Sequence, residues 1–105
     1  MAVDFPGVTG LKRRPALVLS SHKYHAVRPD FILGLITSQS KRLGVTDCIL
    51  EEWAKAGLRK PSVFRSFIVT LPPSANLVRI GRLAKEDWQH VCQCLAISLE
   101  GMNST

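Results

Sequence analysis

Residues 31–37 read FILGLIT: five large apolar side chains, one glycine and a closing threonine. A run this short, near-continuously apolar and rich in strand formers predicts a central strand of a sheet. The rest of the chain must then supply strands on either side of it and a cover for the apolar surface. Candidates are at hand. Residues 3–5 form a short first strand, followed by a loop over 6–14, and residues 16–20 form a buried strand introduced by Pro15, whose fixed φ suits a strand's first position. Residues 45–50 and 63–71 follow, the latter stopped by Pro72-Pro73, and 77–83 (LVRIGRL) alternates as an outer strand with Arg79 and Arg82 toward solvent. Residues 21–30 read as an irregular connection, and 51–60 (EEWAKAGLRK) as a short helix or turn closed by Gly57.

The last element is helical. From Lys85 onward Trp88, Val91, Cys92, Leu95 and Leu99 recur at helical spacing, Gln89 and Gln93 fall opposite them, and Gly101 stands where a helix commonly ends. The expectation is a mainly β member of the α+β class: a small, strongly bent antiparallel sheet or barrel of five or six strands closed by a C-terminal helix. There is no repeat or linker, so residues 1–105 form a single domain.

Several function classes drop out early. No apolar run approaches the roughly 18 residues of a membrane span, and the first residues, MAVDFP, lack a signal peptide's basic start and apolar stretch. A cytoplasmic protein without membrane association is expected. Three cysteines, Cys48, Cys92 and Cys94, make a poor disulfide framework and have no zinc-ligand spacing. They read as buried small hydrophobes, with Cys92 and Cys94 on different sides of the helix. Glu51-Glu52 are adjacent and diverge, while Asp4 and Asp30 have no motif around them. His22 and His25 lie three apart in a segment of poor helical pattern, and His90 faces away from the apolar stripe. No metal-binding acid cluster or Gly-rich phosphate loop is present, so any activity is expected to need neither metal nor cofactor.

Charge is more informative. The net charge is +6. Residues 1–42 hold seven Lys/Arg against Asp4 and Asp30, whereas residues 43–105 hold seven against six. The first half would therefore meet an anion. Within it, GLKRRPALVLS (10–20) stacks Lys12, Arg13 and Arg14 against the start of a strand. ITSQ (36–39) caps the apolar strand with hydroxyls and an amide. Such a strand end beside a basic loop is suited to hold a phosphodiester, although a solvated loop beside a plain strand end explains the same residues.

The order of these motifs adds what their chemistry does not. VDFPG…KRRPALVLSS, then FILGLITSQ, then LVRIGRLAKEDWQHVCQCLAISL resembles the MazF/PemK family of toxins from type II toxin–antitoxin modules, across nearly the whole chain. The resemblance implies an SH3-like barrel with a terminal helix, a homodimer, and a metal-independent endoribonuclease (mRNA interferase) cutting single-stranded RNA. It also implies an antitoxin partner whose acidic C-terminal segment occupies the RNA groove. The family's key arginine falls on Arg14 and its key threonine on Thr37. Thr9, Lys12, Arg13, Ser38, Gln39, His25 and Arg28 are the positions expected to hold RNA.

Residue chemistry agrees with the two central choices. Arg offers phosphate a planar fork of donors and stays charged, and a threonine hydroxyl on a rigid strand end adds a donor as an oxyanion hole does. The group that moves protons stays open, since Arg is a poor base; His25 is one candidate helper. Two departures from the family stand out. Relatives usually carry several more residues before VDF, and many have Q-[IV]-R-[TS] where this chain has FIVT at 67–70. Two other functions remain open: a barrel that binds RNA without cutting it, and a poison of a protein target such as DNA gyrase.

Overall fold

The computed structural model describes residues 2–6, 13–38 and 42–102. Six strands, β1 (Ala2–Pro6), β2 (Arg13–Val18), β3 (Phe31–Thr37), β4 (Asp47–Leu50), β5 (Ser62–Leu71) and β6 (Val78–Arg79), form one antiparallel sheet in the order β4-β5-β3-β2-β1-β6. The apolar run at 31–37 is the predicted strand β3, flanked by β2 and β5. A one-turn helix α1 (His22–His25) joins β2 to β3, and helix α2 (Lys85–Ser98) ends the fold.

Alternation along the strands divides the apolar residues between two faces. Leu17, Ile36, Phe64, Leu50 and Cys48 pack with Val91 and Cys94 of α2. The opposite face centres on the fully buried Ala16 and Leu33, with Val18, Phe31, Leu35, Val69 and Leu77 around them.

The structure corrects several expectations. The sheet is not a closed barrel: among the described residues β4 and β6 are its edges. Closure requires edge strands that pair with each other, and β6 has only two residues. The strand expected over 77–83 shrinks to Val78–Arg79 because residues 80–81 turn instead onto the loop at 56–57. A Cβ on Gly81 would overlap the carbonyl oxygen of Ala56, so only glycine permits this approach.

Residues 22–25 are helical, since the Ser21 hydroxyl accepts from the Tyr24 N–H at 3.1 Å and caps the turn. On α2 the buried line runs through Asp87, Val91 and Cys94, while Cys92 and Leu99 are exposed. The helix is rotated to this line by Asp87, whose carboxylate accepts from the Glu51 N–H at 3.0 Å and the Glu52 N–H at 2.9 Å. A buried carboxylate thereby fastens the 51–57 turn to α2 and satisfies its own charge with two backbone donors.

Candidate functional site

The strand β2 begins at Arg13, so Arg13 and Arg14 lie in the sheet and not in the loop that the sequence predicts there. Their setting follows from Pro15. A proline has no N–H to give to a neighbouring ladder, and the β2–β3 pairing ends one residue later, running from Val18↔Leu33 to Ala16↔Leu35. Beyond that point β2 is held only by β1 and β3 only by β5. The two strands part, and a cleft of about 680 Å³ opens between their ends.

Its walls gather residues from three parts of the chain. Arg13 and Arg14 come from β2, Thr37 and Ser38 from the end of β3, and Arg59 and Lys60 from the segment after Gly57. Arg14 and Thr37 each lie two residues beyond the last β2–β3 pair, Ala16↔Leu35, on the two strand ends that part to form the cleft. Both also share a face by alternation, the one carrying Ala16 and Leu35. Arg14 is exposed and Thr37 half-buried. Among the described residues, four cations line the cleft against one carboxylate, the half-buried Asp4, a balance of charge that favours an anion.

The Arg59–Lys60 wall is set by backbone contacts. Gly57 ends the 51–57 turn with φ +95°, its backbone lies against Ile80, and the Ser62 hydroxyl donates to the Lys60 carbonyl at 2.7 Å. Arg59, Lys60 and Asp4 were not among the expected site residues. A sequence signal for the first two exists, since LRKP at 58–61 repeats the basic-pair-then-proline pattern of KRRP at 12–15.

The other expected RNA contacts are distributed differently. His25 lies in a second cleft, of about 620 Å³, at the opposite end of β2 and β3. Arg28 is exposed and forms an ion pair with Asp30 at 3.6 Å. Thr9, Lys12 and Gln39 lie outside the described residues. Asp30 also accepts from the Tyr24 hydroxyl at 2.6 Å. That bond, helped by the Arg28 charge, holds the Asp30 carboxyl below its ordinary range, and the same bond to Asp30 raises the Tyr24 hydroxyl above its own. Burial pushes the Cys48 thiol up to about 12, with the neighbouring Cys94 adding to the effect, and raises Cys94 as well. Neither is disposed to act as a nucleophile. Among the described residues no three His, Cys, Asp or Glu side chains are grouped to hold a metal.

Comparison with known proteins places the fold. The chain matches the family described as PemK-like, MazF-like toxin of type II toxin–antitoxin system over residues 1–99. It belongs to that family. Among solved structures, toxin MazF-mt6 of Mycobacterium tuberculosis is similar with a TM-score of 0.74 and 20% identity, over 95% of this chain and 97% of that one. MazF in the MazE–MazF structure from Deinococcus radiodurans gives 0.73 and 26%, over 97% and 92%. An endoribonuclease in complex with its cognate antitoxin, from a mycobacterial species, gives 0.74 and 17%, over 93% and 90%. No curated protein matches the chain at a significant level.

Proposed function

We propose that this toxin is an endoribonuclease that cuts single-stranded RNA without a metal ion, with the cleft between the ends of β2 and β3 as its active site. The observation that carries this reading is that Arg14 and Thr37, at the parted ends of β2 and β3, line one cleft with Arg13, Arg59 and Lys60. In the reaction the RNA 2′-oxygen attacks the adjacent phosphorus and the bond from phosphorus to the 5′-oxygen breaks. The products are a 2′,3′-cyclic phosphate and a 5′-hydroxyl.

Arg14 compensates charge that builds on the nonbridging oxygens, and the Thr37 hydroxyl donates to the same phosphate. Arg13, Arg59, Lys60 and Ser38 hold the flanking backbone. The proton leaving the 2′-hydroxyl needs an acceptor, and the departing 5′-oxygen takes a proton from solvent water to become the 5′-hydroxyl. Asp4 is the one carboxylate lining the cleft among the described residues, and it takes the first role better than a guanidinium does.

The family supports a cognate antitoxin as partner, whose acidic segment would compete with RNA for the same cations. It also supports a homodimer. Phe67 and Ile49, 60% and 49% exposed, offer apolar surface for a second copy to cover. No helix is long and apolar enough to cross a membrane among the described residues.

The test is incubation of the purified protein with long single-stranded RNA in excess EDTA, followed by mapping of the ends. Cyclic-phosphate and 5′-hydroxyl ends support the proposal. Intact RNA, or cutting that EDTA abolishes, refutes it.

A further inference from the structure

The second cleft has the chemistry of a nucleotide site. It is lined by the cationic side chains Arg79 and Arg82, by His22 and His25, and by the Phe31 ring, with Val18 and Leu77 as apolar floor. Arg79 and Arg82 are exposed, and the ion pairs among the described residues, Arg28–Asp30 and Lys55–Glu52, engage neither of them. No carboxylate lines this cleft among the described residues. The nearest in sequence, Asp30, is held by Tyr24 and Arg28. The His25 and Phe31 rings meet with centroids 5.1 Å apart, so two aromatic side chains stand together beside two guanidinium groups.

Its position is as telling as its lining. Val18 and Phe31 lie on the same face of β2 and β3 as Arg14 and Thr37, at the other end of the same two strands. From Arg14 to Val18 is four residues, about 13 Å at roughly 3.3 Å per residue. That is about four nucleotides at the stacked rise of about 3.4 Å, and fewer if the strand is extended. On this face the fully buried Ala16 and Leu33 lie between the two clefts, so a strand joining them would run over the side chains that cover these two residues.

We propose that this second cleft is a distal subsite for single-stranded RNA, in which one base stacks beside His25 and Phe31 while Arg79 and Arg82 hold its flanking phosphates. The inference rests on the RNA reading given above. Stacking on aromatic side chains combined with cationic backbone contacts is how proteins hold single strands without reading their sequence. An acidic peptide would use the cations but gain nothing specific from the rings.

The two contributions have separate signatures. The probe is a fluorescent 12-nucleotide RNA, 2′-O-methylated at every position so that it has no nucleophile and cannot be cut, titrated by anisotropy at pH 8 over a range of salt. Arg79→Ala/Arg82→Ala should weaken binding roughly tenfold and flatten the slope of log affinity on log salt by about 1.4, at about 0.7 per phosphate contact. His25→Ala should weaken binding at every salt concentration and leave the slope unchanged, because stacking releases no counterions. Arg82→Ala alone, outside any strand, should flatten the slope by about 0.7 and covers the case in which Arg79→Ala disturbs β6.

Wild-type affinity and slope in the arginine variants would overturn the proposal. So would a loss of affinity for an acidic peptide of the same length with none for the RNA. The endonuclease reading fails separately: unmodified RNA left intact, with these binding losses still present, would remove the catalysis and keep the subsite.

Discussion

The two ends of the β2–β3 pair carry similar residues and use them in opposite ways. At the Val18–Phe31 end the ladder is intact and the chain continues through a capped turn, where Arg28 and Tyr24 are both engaged by Asp30. The Arg28 charge is tied into that turn, unlike Arg79 and Arg82 in the cleft beside it. At the Arg14–Thr37 end a proline stops the ladder, the strands part, and Arg13, Arg14, Arg59 and Lys60 face a shared opening with Asp4 as the only carboxylate among the described lining residues. A guanidinium is therefore not functional by type. Its neighbours decide whether it stabilises a turn or waits for an anion.

The largest effects should come from the open end. Thr37→Ala should reduce the cleavage rate at saturating RNA by roughly 100- to 1,000-fold, the cost of losing one preorganised donor to a developing charge, with thermal unfolding close to wild type. Single-turnover kinetics checks this. A variant that cuts at near wild-type rate would remove Thr37 from the chemistry.

A smaller effect separates the cations that hold from the one that reacts. Arg13→Ala and Lys60→Ala should each flatten the salt dependence of RNA affinity by about 0.7, with a larger loss in affinity than in turnover. Arg28→Ala, at the closed end, should alter that slope less than either. If Arg28 matches them, the contrast between paired and unpaired cations has no functional content.

The smallest effect belongs to the closed end and appears in stability. The Asp30 carboxyl lies below its ordinary value of 3.8 because the Tyr24 hydroxyl and Arg28 favour its charged form. That contribution is complete above the unfolded value and is lost as pH falls through the folded one. Asp30→Asn should therefore lower the melting temperature slightly at pH 7, and the difference from wild type should vanish in strong acid. A gap that persists unchanged at low pH would show that Asp30 acts through packing and not through its charge.

Much of the fold was legible in local pattern. FILGLIT has no polar position before its closing threonine, and it forms a strand in the middle of the sheet with the expected bounds. The helical spacing after Lys85 is equally clear. The contacts that shape the clefts are long-range and leave no periodic trace. Asp87 reads as an ordinary first-turn acid until the 51–52 backbone arrives beneath it, and its pull explains why Cys94 is buried in place of Cys92. Gly57 and Gly81 are 24 positions apart, and only their contact shows why the outer strand stops at Arg79.

The candidate cleft was legible where one motif carried a whole wall. KRRP and ITSQ supplied Arg13, Arg14, Thr37 and Ser38, which the structure brings together. Arg59 and Lys60 were missed because their segment read as the end of a helix or turn. His25 lines the other cleft, because sequence proximity to KRRP says nothing about which end of a strand a residue occupies.

The central claim is that Arg14 and Thr37 act together on one phosphate across the open end of β2 and β3. A double-mutant cycle on the single-turnover cleavage rate at saturating RNA tests it directly, with Arg14→Ala, Thr37→Ala and the double variant. Groups that stabilise the same transition-state charge are strongly non-additive, so the double variant should be little slower than the slower single variant. Two losses that simply multiply would show that the residues act independently, and would contradict this account of the site.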